Sequence, residues 1–159
     1  EPDSVIGYRS AWELWGLAGT VATTVYFLTG TRSRRPVRAQ GITYQPVLPP
    51  QALRRQGCSA WGVTELERGG VWVPVTSRER TMVDCLDRPE YAGGWEEFCH
   101  SVEILPSLDF PALREYLERR GKKALFARVG FLLEQYQEHF FVPEEFLEEL
   151  AANNNRPWF

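Results

Sequence analysis

The chain has 159 residues, of which 43 % are hydrophobic and 25 % charged, and its formal net charge is −3. That length and composition suit one soluble globular domain with room for a small appended element. They give no overall basic character of the kind that marks a nucleic-acid-coating chain.

Residues 1–7 read as a linker. Tyr8 to Leu17 reads as a helix, with Ala11, Trp12, Leu14 and Trp15 forming a broad apolar face and Gly16 to Gly19 ending it. Val21 to Thr29 is rich in β-branched and aromatic residues and predicts a strand. Gly30 to Arg38 is a basic turn, and Gly41 to Leu48 predicts a second strand in which Pro46 marks fraying or an edge. Pro49 and Pro50 open a short helical turn through Arg55. Trp61 to Glu67 and Val71 to Val75 predict two further strands, joined as a hairpin by Arg68, Gly69 and Gly70.

From Thr76 onward the pattern is helical. Thr76 and Glu79 have the spacing of a capping box, and Ser77 is an alternative N-cap. Met82, Val83 and Leu86 share a helical face, and Pro89 ends that helix because it pushes the preceding residue out of the α region. Gly93 and Gly94 make a second break before a helix that starts at Trp95. Asp109 is an N-cap, Pro111 fits a first turn, and Gly121 is a stop. Leu125, Phe126, Val129, Leu132, Leu133 and Tyr136 then keep the helical period, and Pro143 begins a last acidic helix. The expected class is α+β: an N-terminal helix, a four-stranded, mostly antiparallel sheet over 20–75, and a helical part over 76–152 within one domain spanning 8–159.

Charge is unevenly spread. Residues 1–80 carry a balance of +4 and residues 81–159 one of −7. Cys58, Cys85 and Cys99 are odd in number and lack a paired CxxC spacing, which argues against a disulfide framework or a zinc site and predicts a reduced, cytoplasmic protein. The charge-free run from Leu14 to Arg32 is broken by glycines and carries five threonines, too polar for a membrane span.

Few residues are placed to carry out catalysis. Cys85 and Cys99 sit among apolar helical neighbours, and His100 follows Cys99 at about 100° around the helix, so a nucleophile–base pair is not expected. Glu65 and Glu67 share a strand face, but no lysine follows them as a metal-dependent nuclease would require. No catalytic residue, cofactor or metal site is therefore expected. Arg32, Arg34, Arg35 and Arg38, placed at a hairpin tip, are the best candidates for contact with a phosphate backbone, and Arg54 and Arg55 extend that patch. Arg119, Arg120, Lys122 and Lys123 span a helix C-terminus, where the helix dipole alone favours cations. Glu79, Arg80, Asp84, Asp87 and Arg88 read as helix-surface ion pairs, with Gly93 and Gly94 present for backbone reasons.

The densest pattern runs through Val75, Ser77, Glu79, Arg80, Thr81, Asp84, Leu86, Asp87, Arg88, Pro89, Glu90, Gly93, Gly94, Glu96 and Glu97. It resembles the central signature of AbiEi-type antitoxins, the antitoxin and autorepressor halves of bacterial toxin–antitoxin and phage-defence operons. Tyr8, Ser10, Ala11, Trp12, Leu14, Gly16 and Leu17 resemble the helix that opens the family's C-terminal domain. The resemblance spans roughly 8 to 136. It departs at Trp15, where the family usually has a histidine or similar residue, and at Arg78, where a proline is common.

The resemblance implies a non-enzymatic domain that neutralises a nucleotidyltransferase-like toxin. It also implies operator DNA binding through an N-terminal winged helix, for which no sequence is found before Tyr8. An enzyme acting on nucleic acid or on the toxin, and a free-standing DNA-binding domain, remain alternatives.

Overall fold

The computed structural model describes residues 3–30 and 35–154. It is mixed α/β: six strands form one sheet in the order β3-β4-β2-β1-β6-β5, and helices account for most of the rest. The strands are β1 (Val5–Ile6), β2 (Thr24–Leu28), β3 (Val37–Ala39), β4 (Ile42–Val47), β5 (Val63–Arg68) and β6 (Val71–Thr76). The helices are α1 (Tyr8–Leu14), α2 (Gln51–Arg55), α3 (Arg78–Asp87), α4 (Trp95–Ile104), α5 (Phe110–Arg120), α6 (Lys123–Gln135), α7 (Gln137–Phe140) and α8 (Glu144–Asn154). A 3₁₀ turn at Pro89–Tyr91 separates α3 from α4.

The α+β class holds, but the sheet differs from the four-stranded antiparallel expectation in number and direction. The segment read as a linker contributes β1, which lies between β2 and β6, antiparallel to the first and parallel to the second. β2 and β4 run parallel, with Thr24 opposite Thr43 through Leu28 opposite Val47. β2 and β4 are therefore not the two arms of a hairpin, and residues 31–34 of the basic stretch expected at its tip lie outside the described residues. The hairpin is β3–β4, turned at Gln40 and Gly41, whose φ angles of 51° and 78° suit a two-residue hairpin loop. Pro46 is tolerated because β3 pairs only with Ile42 to Tyr44, so nothing on that side needs the missing N–H. β5 and β6 form the expected hairpin, with Gly69 and Gly70 at φ 58° and 81°.

α1 packs on β2, β6 and α3, and α3 also touches α5 and α6. This makes α3 the central helix of the fold. Every residue from Glu79 to Leu86 is buried, so Met82, Val83 and Leu86 form one face of a helix enclosed all round. The core joins Trp12, Met82, Phe98, Leu113, Tyr116, Leu125 and Leu133 across five helices.

The local stop signals act where expected. Ser77 caps α3, its Oγ accepting the Arg80 N–H at 3.2 Å. The Thr76–Glu79 box does not form: Thr76 Oγ1 meets Thr81 Oγ1 at 2.6 Å, while Glu79 Oε1 accepts the Asp109 N–H at 2.9 Å. Asp109 in turn caps α5 through the Ala112 N–H, and Gly121 ends α5 in the left-handed region at φ 58°. Trp12 is fully buried and Trp15 and Trp61 are half-buried, but Trp72 and Trp95 are largely exposed. Among the described residues, no helix is long and apolar enough to cross a membrane.

A candidate anion-binding cleft at the end of the central helix

Four elements converge at the C-terminal end of α3. Arg80, at its inner end, is wholly buried. Its Nε donates to Asp84 Oδ2 at 3.3 Å, and its Nη1 donates to the main-chain carbonyls of Ser59 (2.8 Å) and Trp61. The expected surface pair is thus a buried one, with different energetics. Asp84, 1 % exposed, also accepts from the Tyr116 hydroxyl at 2.5 Å and from Arg120 Nη1 at 2.7 Å. One carboxylate thereby ties α3 to α5. Burial and the Asp84 charge both push the Tyr116 phenol up, so it stays a neutral donor.

One turn further on, Asp87 accepts from Arg120 and from Lys122. The turn at Gly121 sends the chain from α5 into α6 and brings both cations to the same carboxylate. Burial works to raise the Asp87 carboxyl, but the hydrogen bond from Lys122 and the charge of Arg120 outweigh it and hold the group below its ordinary value. Burial likewise opposes the Arg120 charge, and Tyr116, Asp84 and Asp87 reverse it, so the guanidinium sits above its usual range. Arg88 follows at the helix end. It donates to Glu90 Oε1 at 2.8 Å and to the Tyr91 hydroxyl at 3.1 Å, and its guanidinium lies 4.8 Å from the Tyr91 ring centre. The Glu90 hydrogen bond is the main cause that raises the Arg88 value.

Facing these groups is α2, entered through Pro49 and Pro50. Between the two walls lies a cleft of about 780 Å³ with Tyr8, Arg54, Arg55, Asp87, Arg88, Tyr91, Arg120 and Lys122 in its lining. Arg54 donates Nε to the Pro49 carbonyl at 3.0 Å, which aligns it along its own turn. Among the described residues, no carboxylate pairs with Arg54 or Arg55. The lining thus holds five cations and one carboxylate.

The residues singled out from sequence distribute unevenly. Arg54 and Arg55 meet Asp87 and Arg88 across the cleft. Glu79, Arg80 and Asp84 lie in the interior, as fold-holding groups. Arg35 and Arg38 are exposed and do not line the cleft; Arg38 sits on the edge strand β3. Arg32 and Arg34 lie outside the described residues. Gly93, at φ 82°, has no room for a side chain, since a Cβ there would stand 2.6 Å from Arg9 Cδ; Gly94, at φ 94°, precedes α4. Glu65 and Glu67 are exposed on the edge strand β5.

Sequence reasoning missed Arg120, Lys122, Tyr8 and Tyr91. The dipole argument accounted for the first two locally and so hid their role. Only the glycine between them signalled that the chain reverses there, and nothing local showed toward what. Compared with known proteins, the chain matches no protein-family model, and no curated protein matches it significantly.

Proposed function

We propose that this chain is the antitoxin domain of an AbiEi-like toxin–antitoxin autorepressor. In this reading it neutralises a nucleotidyltransferase-like toxin, has no catalytic step of its own, and supports operator DNA binding when joined to a winged-helix domain. The observation that carries the reading is that the signature stretch behaves as one connected device. Ser77 starts α3, Glu79 latches α5, Arg80 and Asp84 join α3 to the 59–61 loop and to α5, and Gly93 makes room for Arg9. A stretch used this way is a framework for the whole domain, which is what a shared lineage would retain.

The test is growth rescue: the 159-residue chain is expressed alone beside the toxin encoded next to it. Rescue is expected. Failure with the chain shown to be folded and expressed would move neutralisation to another domain and overturn the reading for this one. The operator contribution is assigned to the basic stretch, where Arg35 and Arg38 are exposed. Charge reversal of Arg32, Arg34, Arg35 and Arg38 in the full-length protein should weaken operator binding and flatten its salt dependence, and unchanged values for both would remove that role.

A further inference from the structure

The cleft at the end of α3 has arginines of α2 on one side and Arg88 and Lys122 in the rest of its lining. We propose that it binds a small polyphosphate-bearing ligand of nucleotide size, with the phosphates held between Arg54 and Arg55 of α2 on one side and Arg88 and Lys122 on the other. Three observations carry this.

The first is charge. Arg54, Arg55, Arg88, Arg120 and Lys122 line the space; Glu90 pairs with Arg88, and Asp84 and Asp87 pair with Arg120 and Lys122, so the unmatched positive charge is that of the two α2 arginines. Arg54 and Arg55 have no carboxylate partner among the described residues. Cations that face each other across a concave, partly desolvated space repel, and a multivalent anion between them removes that repulsion.

The second is pre-organisation. Arg88 is held by Glu90 and by the Tyr91 hydroxyl and ring, and Arg54 by the Pro49 carbonyl. Arg120 is 6 % exposed and fixed by two aspartates. Side chains already fixed in place lose little further freedom when a ligand arrives. Arginine's planar fork also matches phosphate oxygens in pairs.

The third is size. About 780 Å³ lies within the range of small-molecule sites. The cations face inward from two walls, whereas a duplex needs them spread along an outward-facing surface. The inference stands on the cleft and not on the antitoxin reading: a chain that failed to bind such a ligand could still rescue growth, and the reverse.

Isothermal titration calorimetry of the 159-residue chain at physiological ionic strength tests it, using tripolyphosphate, ATP, a short single-stranded oligothymidylate and a DNA duplex. We expect tripolyphosphate and ATP to bind one to one. Affinity should fall at least about tenfold in the Arg54→Ala/Arg55→Ala variant and again in Arg88→Ala, with thermal melts showing both variants folded. Tighter binding of ATP than of tripolyphosphate would add a nucleoside contact to the phosphate site. Binding of the oligonucleotide or duplex without tripolyphosphate or ATP, no binding of either phosphate compound, or a loss confined to one wall would each overturn the proposal.

Discussion

The two ends of α3 use the same chemistry in opposite surroundings. At the inner end Arg80 and Asp84 are sealed from water, and every contact they make is to this chain: the Ser59 and Trp61 carbonyls, the Tyr116 hydroxyl and Arg120. At the outer end, a turn later, Asp87 and Arg88 stand in a cleft whose far wall brings two more arginines and no acid. In the interior, an unmatched charge costs several kcal/mol, so the inner pair must be balanced to fold at all. In the cleft, water screens the excess, and the imbalance can persist as a binding surface.

Arg80→Met should have the largest effect. It removes the donors to two carbonyls and one of the two cations on a buried aspartate, and we expect a loss of about 3–5 kcal/mol in chemical denaturation. A loss under about 1 kcal/mol would mean that the inner pair is no more demanding than a surface one, and the comparison between the two ends would collapse.

Asp87 gives a smaller, pH-dependent effect. Its folded carboxyl is held below the ordinary value near about 3.9. The unfolded chain therefore takes up the proton first as pH falls. The stability this group contributes is complete above about pH 4 and is lost as pH drops through the lower folded value. In urea melts of wild type and Asp87→Asn, the stability gap should be constant from neutral pH down to about pH 4 and close below it. A gap that persists unchanged into stronger acid would mean that Arg120 and Lys122 do not act through the Asp87 charge.

The smallest effect sharpens the contrast. Arg54→Ala and Arg55→Ala, at exposed positions on α2, should each change stability by no more than about 0.5 kcal/mol in the same melts. A loss of several times that would make the α2 arginines part of the fold, like Arg80, and not a surface held ready for a ligand.

Much of the element order was legible because its signals are local. Ser77, Asp109 and Gly121 mark helix ends through side chains or backbone angles that act within one turn. Gly69 and Gly70 mark a hairpin for the same reason. At α3 the sequence left the cap open between Thr76 and Ser77, which offer the same oxygen, and only the packing of Thr76 against Thr81 chooses Ser77. β1 was invisible: two residues cannot show an alternation, and Val5 and Ile6 form a strand only because β2 and β6 lie on either side. Strand direction was misjudged for β2 and β4 because short strands in sequence suggest hairpins, and the edge strand β3 comes between them in the chain.

The candidate site divides the same way. Its residues were mostly visible as types, with the arginines of α2, the aspartates of α3 and the basic run around Gly121 all evident by composition. What the sequence by itself determined was where most helices and the β5–β6 hairpin would lie, and that one stretch from Ser77 to Glu97 was unusually dense in charge. The tertiary structure alone decided which charges are sealed in pairs and which face one another across a cleft. Asp87 and Lys122 are 35 residues apart, so their meeting depends on the packing of α3 against α5 and α6. Pairing between distant charges follows from how enclosed faces stack, and no periodicity within a single helix records it.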